Sequence, residues 1–232
     1  MLKIQGLGVI DGSRILELDC GDAIDIARKK FVILKPGIPE LMDSLERGAQ
    51  IITPKDAETI VFRLSLGCGD TVLEGGVGSG AMTMALLHSV GKGGKVISIE
   101  MREDFAKRAT RNVERAGLSE RWELRLGDVR EMSSDIKVDA VILDIPDPWI
   151  SLDSVTRCLR PGGRFCAYVP NTNQVEITVR ALRDREFVEV YALENLQRGI
   201  EVHEGGVRPS FEMLGHTGYL IFARMSGVGK SK

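Results

Sequence analysis

Two stretches of the sequence contain residue types and spacings that can perform chemistry. The first is the glycine run Glu74-Gly75-Gly76-Val77-Gly78-Ser79-Gly80, which follows a short apolar segment and precedes a helical pattern. Glycines at such a position let the backbone turn sharply and lie directly against a ligand. The next apolar segment ends at Glu100, where a carboxylate can accept hydrogen bonds from both hydroxyls of a ribose. The pattern therefore indicates a binding site for a ligand that contains a nucleoside.

The spacing of these glycines favours S-adenosylmethionine (AdoMet) over a dinucleotide. A dinucleotide loop reads G-x-G-x-x-G and places the pyrophosphate at the start of the next helix. Here Gly76, Gly78 and Gly80 occupy alternate positions, and Glu74 precedes them. A carboxylate at that point repels a pyrophosphate but can help to hold the cationic methionine end of AdoMet. A third apolar segment ends at Asp128, which is placed to meet an adenine amino group; a dinucleotide remains the alternative.

The second stretch is Leu143-Asp144-Ile145-Pro146-Asp147-Pro148-Trp149, which follows the almost wholly apolar segment Val138–Leu143. Because the carboxyl ends of parallel strands meet at one edge of a sheet, we expect Asp144 to face the same ligand as the glycine loop. The two prolines fix backbone angles and remove amide donors, which predicts a stiff loop. Trp149 either stacks on a base or fills the core.

The elements that must position these residues alternate between apolar strands and helices. Strands are predicted at 72–74, 95–100, 123–126, 138–143 and 164–169, and helices at 81–90, 103–116, 151–159 and about 173–183. Apolar strands separated by helices predict a parallel sheet that is buried on both faces. Two further strands near 187–197 and 217–224 lack a helix of comparable length between them and predict an antiparallel edge pair. The predicted fold is α/β, a doubly wound, mostly parallel, seven-stranded Rossmann-like sheet.

Three segments divide the chain. Residues 1–48 are interrupted by glycines and weakly alternating, which predicts a small β-rich domain. Residues 49–226 form the main domain, whose first helix is expected to begin with a capping box at Thr53, Pro54 and Asp56 and to end at Gly67. Residues 227–232 are rich in Gly, Lys and Ser and are expected to be a frayed tail.

Composition excludes several functional classes. The 232 residues are 43% hydrophobic and 28% charged, which is typical of a globular protein. No apolar run is long enough for a membrane helix, and the chain begins without a signal segment, so we expect a cytoplasmic protein. Lys and Arg number 31 against 33 Asp and Glu, so RNA binding would require a local patch or an assembly that pools patches. The four cysteines form no Cys-x-x-Cys pair; small core residues are expected in place of a metal site, with an inter-subunit cross-link as the alternative.

Taken together in this order, the motifs resemble the tRNA (adenine-N1)-methyltransferases that act on the T-loop, a family of class I AdoMet-dependent methyltransferases. The resemblance covers about residues 48–224. It is carried by the segment 47–56, by the glycine loop, by the Asp144 motif, by Tyr168–Val175, and by Arg208-Pro209 followed by Gly215–Leu220.

This resemblance implies a reaction and an assembly. Family members form 1-methyladenosine at tRNA position 58, and archaeal members can also use position 57; they are homotetramers with a small N-terminal β domain. It implies tRNA as the partner, no metal, and Asp144 as the catalytic residue. A carboxylate that accepts a hydrogen from the adenine amino group pushes electron density toward N1 and stabilises the positive charge of the product. The target base must first be flipped out of the folded tRNA.

The candidate site residues fall into two groups. The AdoMet-binding residues are expected to be Gln50, Ile52, Glu74, Gly76, Gly78, Ser79, Gly80, Glu100, Met101, Asp128, Val129 and Asp144. The substrate-binding residues are expected to be Trp149, Tyr168, Asn171 and Arg208.

Two other functions remain open. A methyltransferase acting on isoaspartyl protein or on a corrinoid ring would use a similar sheet, although neither needs the Asp144 motif. A noncatalytic RNA-binding subunit tends to lose the glycine loop or the catalytic acid, and this chain contains both.

Overall fold

The structure is a computed structural model that describes residues 2–4, 8–46, 48, 50–131 and 136–227. It divides into two compact units, Met1–Leu41 and Met42–Lys232, whereas the sequence pattern placed the boundary after residue 48. The last residues of the expected tail, 228–232, lie outside the described residues.

The first unit contains two antiparallel hairpins. Its elements in chain order are β1 (Leu2–Ile4), β2 (Gly8–Ile10), α1 (Ser13–Leu16), β3 (Ala23–Ile26) and β4 (Lys29–Val32), and α2 (Ile38–Asp43) follows them. β1 pairs with β2, and β3 pairs with β4. Ala27 and Arg28 form the turn of the second hairpin with φ of 48° and 64°, a left-handed pair that suits the twist of a two-residue hairpin loop.

A seven-stranded sheet forms the centre of the second unit. The elements in chain order are α3 (Pro54–Arg63), β5 (Thr71–Gly75), α4 (Ala81–Val90), β6 (Lys95–Glu100), α5 (Glu103–Arg115), β7 (Trp122–Leu126), β8 (Val138–Leu143), α6 (Leu152–Cys158), β9 (Leu159–Val169), α7 (Thr172–Arg183), β10 (Phe187–Glu194), β11 (Ile200–His203), β12 (Gly206–Pro209) and β13 (Tyr219–Met225). Short 3-10 helices lie at Ser119–Arg121, Val129–Glu131 and Pro148–Ser151.

The order of the strands sets the position of the site. It is β10-β13-β9-β8-β5-β6-β7, with β9 through β7 parallel and β13 antiparallel to both of its neighbours. This confirms the predicted doubly wound, mostly parallel sheet and its antiparallel edge pair. The chain order reverses between β5 and β8, so the carboxyl ends of these two strands form the switch point where such sheets bind ligands. The Asp144 amide donates to the Gly75 carbonyl oxygen at 2.8 Å and joins the two ends.

The start of α3 differs from the predicted capping box. Thr53 Oγ1 donates to Asp56 Oδ2 at 2.9 Å and caps no amide. Asp56 is fully buried and also receives a hydrogen bond from Lys55 Nζ at 2.8 Å. The same ammonium donates to the Asn195 carbonyl oxygen and to Thr217 Oγ1, both at 2.7 Å. The Asp56 carboxylate is therefore paired with the Lys55 ammonium group, which also bonds to residues next to β10 and β13. These bonds connect the start of α3 to that side of the sheet.

Two further elements differ from the sequence prediction. β9 begins at Leu159, before the Pro-Gly-Gly segment expected to precede it, and the register shift between Val138 and Ala140 accommodates the extra residues. The β11–β12 hairpin was not predicted. Its strands are short and largely exposed, so they carry no clear apolar alternation.

Candidate functional site

The glycine loop connects β5 to α4 in a left-handed conformation. Gly76, Gly78 and Gly80 have φ of 82°, 56° and 84°, values that strain any residue with a Cβ atom. A Cβ atom on Gly76 would lie 2.1 Å from the carbonyl oxygen of Asp144, whereas one on Gly78 would meet no atom within 4 Å. Because Gly76 has no side chain, the ends of β5 and β8 can lie close together. The missing side chain at Gly78 leaves open space above the backbone.

Glu100 fixes the shape of this loop from the end of β6. Its Oε2 accepts hydrogen bonds from the amides of Val77 at 2.9 Å and Gly78 at 3.2 Å, and its Oε1 accepts from the Arg102 amide at 2.9 Å. A carboxylate offers about four acceptor positions, so capacity for a ribose hydroxyl remains.

Glu74 is buried behind the loop. Its Oε2 accepts from Thr83 Oγ1 at 2.7 Å and from Ser98 Oγ at 2.5 Å, while Oε1 is buried with no partner among the described residues. Burial raises its pKa to about 8 and outweighs the opposing effect of the two hydrogen bonds; the charges of Asp144 and Glu100 raise the pKa by smaller amounts. Glu74 therefore holds a proton at neutral pH until a cation approaches it.

Asp144 lies at the end of β8 on the wall of a cavity of about 570 Å³. Desolvation by the surrounding protein, with a smaller contribution from the charge of Glu100, raises the pKa of its carboxyl to about 7. The side chain is nevertheless solvent-accessible through the cavity, so solvent screens this effect and we assign it no folding energy. A carboxyl group poised near neutrality in a concave site is a candidate for chemistry.

The cavity brings together eight of the expected cofactor residues. They are Gln50, Gly76, Gly78, Glu100, Met101, Asp128, Val129 and Asp144. The remaining four, Ile52, Glu74, Ser79 and Gly80, are buried around the loop and do not line the cavity. Ser79 is held there by Asn112 Nδ2, which donates to its carbonyl oxygen at 2.9 Å. Arg47 and Ala49, which precede Gln50 in the family-like segment, lie outside the described residues.

Asp128 is engaged by a neighbour. Its Oδ1 accepts from the Arg130 amide at 2.9 Å and its Oδ2 accepts from Arg130 Nε at 2.6 Å. These bonds hold the pKa of Asp128 below its usual value. The carboxylate lines the cavity, but Oδ2 is bonded to a guanidinium that was not expected there and Oδ1 to the backbone amide of the same residue.

The expected substrate residues are placed outside the cavity lining. Tyr168 is 7% exposed and its hydroxyl donates to the Thr217 carbonyl oxygen, with Gly218 packed against its ring. Asn171 caps α7, where its Oδ1 accepts from the Gln174 amide at 3.1 Å. Trp149 is half-buried in the 3-10 helix after Asp144. Arg208 lies on the β12 strand, paired with Glu201 and over the ring of Phe211.

Several cavity residues were not among the cofactor- and substrate-binding residues predicted from the sequence. They are Ile99, Arg102, Phe105, Gly127, Arg130, Ile145, Pro146, Asp147 and Ser151. Phe105 belongs to α5, and the Arg102 guanidinium lies over its ring, 3.8 Å from the ring centroid. The sequence feature that could have identified Phe105 is its position as an aromatic residue shortly after Glu100, the acidic residue that ends β6.

The residues present fit a nucleoside with a cationic tail. Apolar side chains can enclose a purine, Glu100 can receive a ribose, and the unpartnered Oε1 of Glu74 is an acceptor for an ammonium group. Gly78 leaves the space that such a ligand requires.

The prediction that the cysteines are small core residues is confirmed for Cys158 and Cys166, which are buried. It is wrong for Cys20 and Cys68, which are exposed. In the described part of the chain, no three His, Cys, Asp or Glu residues are grouped to hold a metal ion. No helix within those residues has the length and apolarity needed to cross a membrane.

Comparison with known proteins relates this arrangement to a family. Residues 30–208 match the family model described as tRNA methyltransferase complex GCD14 subunit. A relative from Methanocaldococcus jannaschii, named tRNA (adenine(57)-N(1)/adenine(58)-N(1))-methyltransferase TrmI, is 34% identical over 94% of this chain and 86% of its own.

Two solved structures share the fold. A protein described as a SAM-dependent O-methyltransferase from Thermotoga maritima has a TM-score of 0.91 and 37% identity, covering 100% of this chain and 86% of its own. The tRNA (m1A58) methyltransferase TrmI from Aquifex aeolicus has a TM-score of 0.79 and 26% identity, covering 89% of this chain and 90% of its own. The resemblance inferred from the motifs is confirmed, and the chain belongs to the GCD14 family of tRNA methyltransferase complex subunits.

Proposed function

We propose that this protein transfers a methyl group from AdoMet to N1 of adenosine in the T-loop of tRNA. The observation that carries this proposal is the placement of Asp144 on the cavity wall, directly against Gly76 of the glycine loop. The M. jannaschii relative is named for N1 methylation at positions 57 and 58, and the A. aeolicus relative for N1 methylation at position 58. We assign position 58 as the principal target and position 57 as the second position to be tested.

The cofactor is AdoMet, and the residues of the loop divide its binding. Glu100 receives the ribose, and Met101, Phe105 and Val129 enclose the purine. Glu74 offers its free Oε1 to the ammonium group of the methionine end. When bound, AdoMet supplies an electrophilic methyl group on sulfur, and the electron pair of the broken C–S bond returns to the sulfur.

Asp144 acts on the acceptor. As a carboxylate it accepts a hydrogen bond from the 6-amino group of adenine and raises the electron density at N1. No proton needs to leave N1, because its lone pair forms the new bond. The ring becomes positively charged, and the fixed carboxylate stabilises that charge as it develops. The loop after Asp144 is held by Gln174 Nε2, which donates to the Pro146 carbonyl oxygen at 2.7 Å, and this restricts the orientation of the base.

The RNA and the assembly involve surfaces beyond the cavity. We assign Arg208 to a phosphate contact, since it is exposed on the β12 strand. Trp149 and Asn171 follow the ends of β8 and β9 and are assigned to the substrate side. The β11–β12 hairpin exposes apolar side chains, with Val202 73% and Val207 66% exposed. These residues favour self-association, and we propose a homotetramer in the cytoplasm.

Methyl transfer to oxygen is the second candidate, because the T. maritima protein is described as an O-methyltransferase. That reaction requires a base to remove a hydroxyl proton, and Asp144 with its raised pKa could serve.

The test uses an unmodified tRNA transcript, labelled AdoMet, and mass analysis of the nucleosides. Formation of 1-methyladenosine, lost when A58 of the transcript is replaced by G, is the expected result; an A57G transcript reports the second position. A labelled product without 1-methyladenosine, or no transfer despite cofactor binding, would overturn the assignment of the acceptor.

A further inference from the structure

Ser151 is a polar residue of the cavity whose hydroxyl group has no partner in the described part of the chain. It ends the 3-10 helix Pro148–Ser151, lines the cavity, and has an exposure of 0%. Its hydroxyl oxygen has no hydrogen-bond partner among the described residues. Because buried hydroxyl groups in proteins are nearly always paired, this oxygen marks a position where a ligand supplies the missing bond.

Neighbouring hydroxyl groups in the same segment show the ordinary arrangement. Ser154 Oγ donates to the Arg130 carbonyl oxygen at 2.5 Å, and Thr156 Oγ1 donates to the Leu152 carbonyl oxygen at 2.8 Å. Both of these hydroxyl groups are therefore satisfied by backbone carbonyl oxygens of the protein. Ser151 differs from both in facing the cavity.

The position of Ser151 points to the purine end of the ligand. The 3-10 helix that contains it packs against the 3-10 helix Val129–Glu131, which follows Asp128 at the end of β7. Asp128 was the residue expected to meet the adenine amino group, but both of its oxygens are held by Arg130. Asp128, as a carboxylate, can only accept hydrogen bonds, so a ring-nitrogen acceptor on the purine edge requires a donor from another residue.

We propose that the Ser151 hydroxyl binds the adenine ring of AdoMet. This inference rests on the proposed function and specifies one of its binding residues. A hydroxyl group both donates and accepts, so it matches a purine edge on which a ring nitrogen acceptor lies beside an amino donor. The target base of the RNA is also adenine and presents the same chemistry. The packing of its 3-10 helix against the 3-10 helix Val129–Glu131 assigns the contact to the cofactor.

The test measures two properties of Ser151→Ala without RNA: the Kd for S-adenosylhomocysteine by calorimetry and the melting temperature of the ligand-free protein. The expected result is a Kd raised about tenfold, as for loss of one neutral hydrogen bond, with no loss of thermal stability. The control is Thr156→Val, which removes a satisfied hydroxyl from the same segment and should leave the Kd unchanged.

Other outcomes overturn the assignment. An unchanged Kd with a lower melting temperature means that the hydroxyl has a protein partner. An unchanged Kd with a raised KM for tRNA assigns the contact to the target base. The measurement is independent of the acceptor, so it can succeed even if the proposed RNA substrate is wrong; wild-type protein that fails to bind the ligand would contradict the proposed function and this inference together.

Discussion

Gly76 lies so close to Asp144 that a Cβ atom on the glycine would be 2.1 Å from the Asp144 carbonyl oxygen. The glycine loop and the strand end that carries Asp144, the proposed catalytic residue, are therefore one packed unit. This backbone contact forms because Gly76 has no side chain, and in the proposed function it connects cofactor binding to acceptor positioning.

Gly76→Ala should disrupt this unit. The substitution combines a left-handed backbone with a clash against backbone atoms, so we expect a loss of about 2–5 kcal/mol in unfolding free energy. Gly78→Ala is the matched control: its backbone is strained similarly, but its Cβ meets no atom within 4 Å. That variant should lose only about 1–2 kcal/mol and chiefly weaken cofactor binding. Chemical denaturation and calorimetry measure the two effects, and equal destabilisation would contradict the packing argument.

Glu74→Gln should alter the pH dependence of stability. The folded-state pKa of Glu74 is about 8, above the usual 4.5, so its contribution to stability is full below about 4.5 and is lost as the pH rises through 8. Glutamine does not titrate. The ligand-free variant should therefore gain in melting temperature relative to wild type as the pH rises from about 4.5 to about 8, the window set by this shift. Its affinity for S-adenosylhomocysteine should fall, because the ammonium group loses an anionic partner. A difference in melting temperature that does not change with pH would refute this account of Glu74.

The rate should depend on the ionisation of Asp144. The pKa of its carboxyl in the free protein is about 7, and only the carboxylate can accept from the adenine amino group. We expect kcat/KM to fall about tenfold per pH unit below that value. Under saturating AdoMet the inflection should move to lower pH, since the cationic ligand favours the carboxylate. A profile that is flat between pH 5.5 and pH 8, roughly the interval around this pKa, would mean that another group controls the rate.

Tyr168→Phe separates a structural from a substrate-binding role. The hydroxyl is bonded to the Thr217 carbonyl oxygen inside the protein. Its removal should reduce stability by about 1 kcal/mol while kcat and the KM for tRNA stay close to wild type. A raised KM with unchanged stability would place Tyr168 on the substrate after all.

The sequence predicted the parts of the site that follow from strand order. Glu100 and Asp144 each end an apolar strand, and in a parallel sheet such positions converge on one edge without further information. The glycine loop was recognisable because its neighbours were a strand and a helix.

The contacts made by residues in short irregular turns could not be predicted from the sequence. The pairing of Asp128 with Arg130 depends on the 3-10 turn that follows β7, and the cavity position of Ser151 depends on a second such turn. Asp56 matched the spacing of a capping box, yet the buried ammonium of Lys55 binds its carboxylate, because a distant strand end encloses both residues. These contacts depend on tertiary packing, which a local sequence pattern does not indicate.

The most direct test of the account compares wild type with Asp144→Asn in single-turnover methylation of an unmodified tRNA transcript, with the Kd for S-adenosylhomocysteine measured on both proteins. Asparagine keeps the shape of the side chain but carries no negative charge. The account predicts a rate of 1-methyladenosine formation lower by about 10²–10³, as for loss of a fixed transition-state contact, with the Kd changed less than about threefold. A variant that methylates at the wild-type rate would contradict the central role of Asp144.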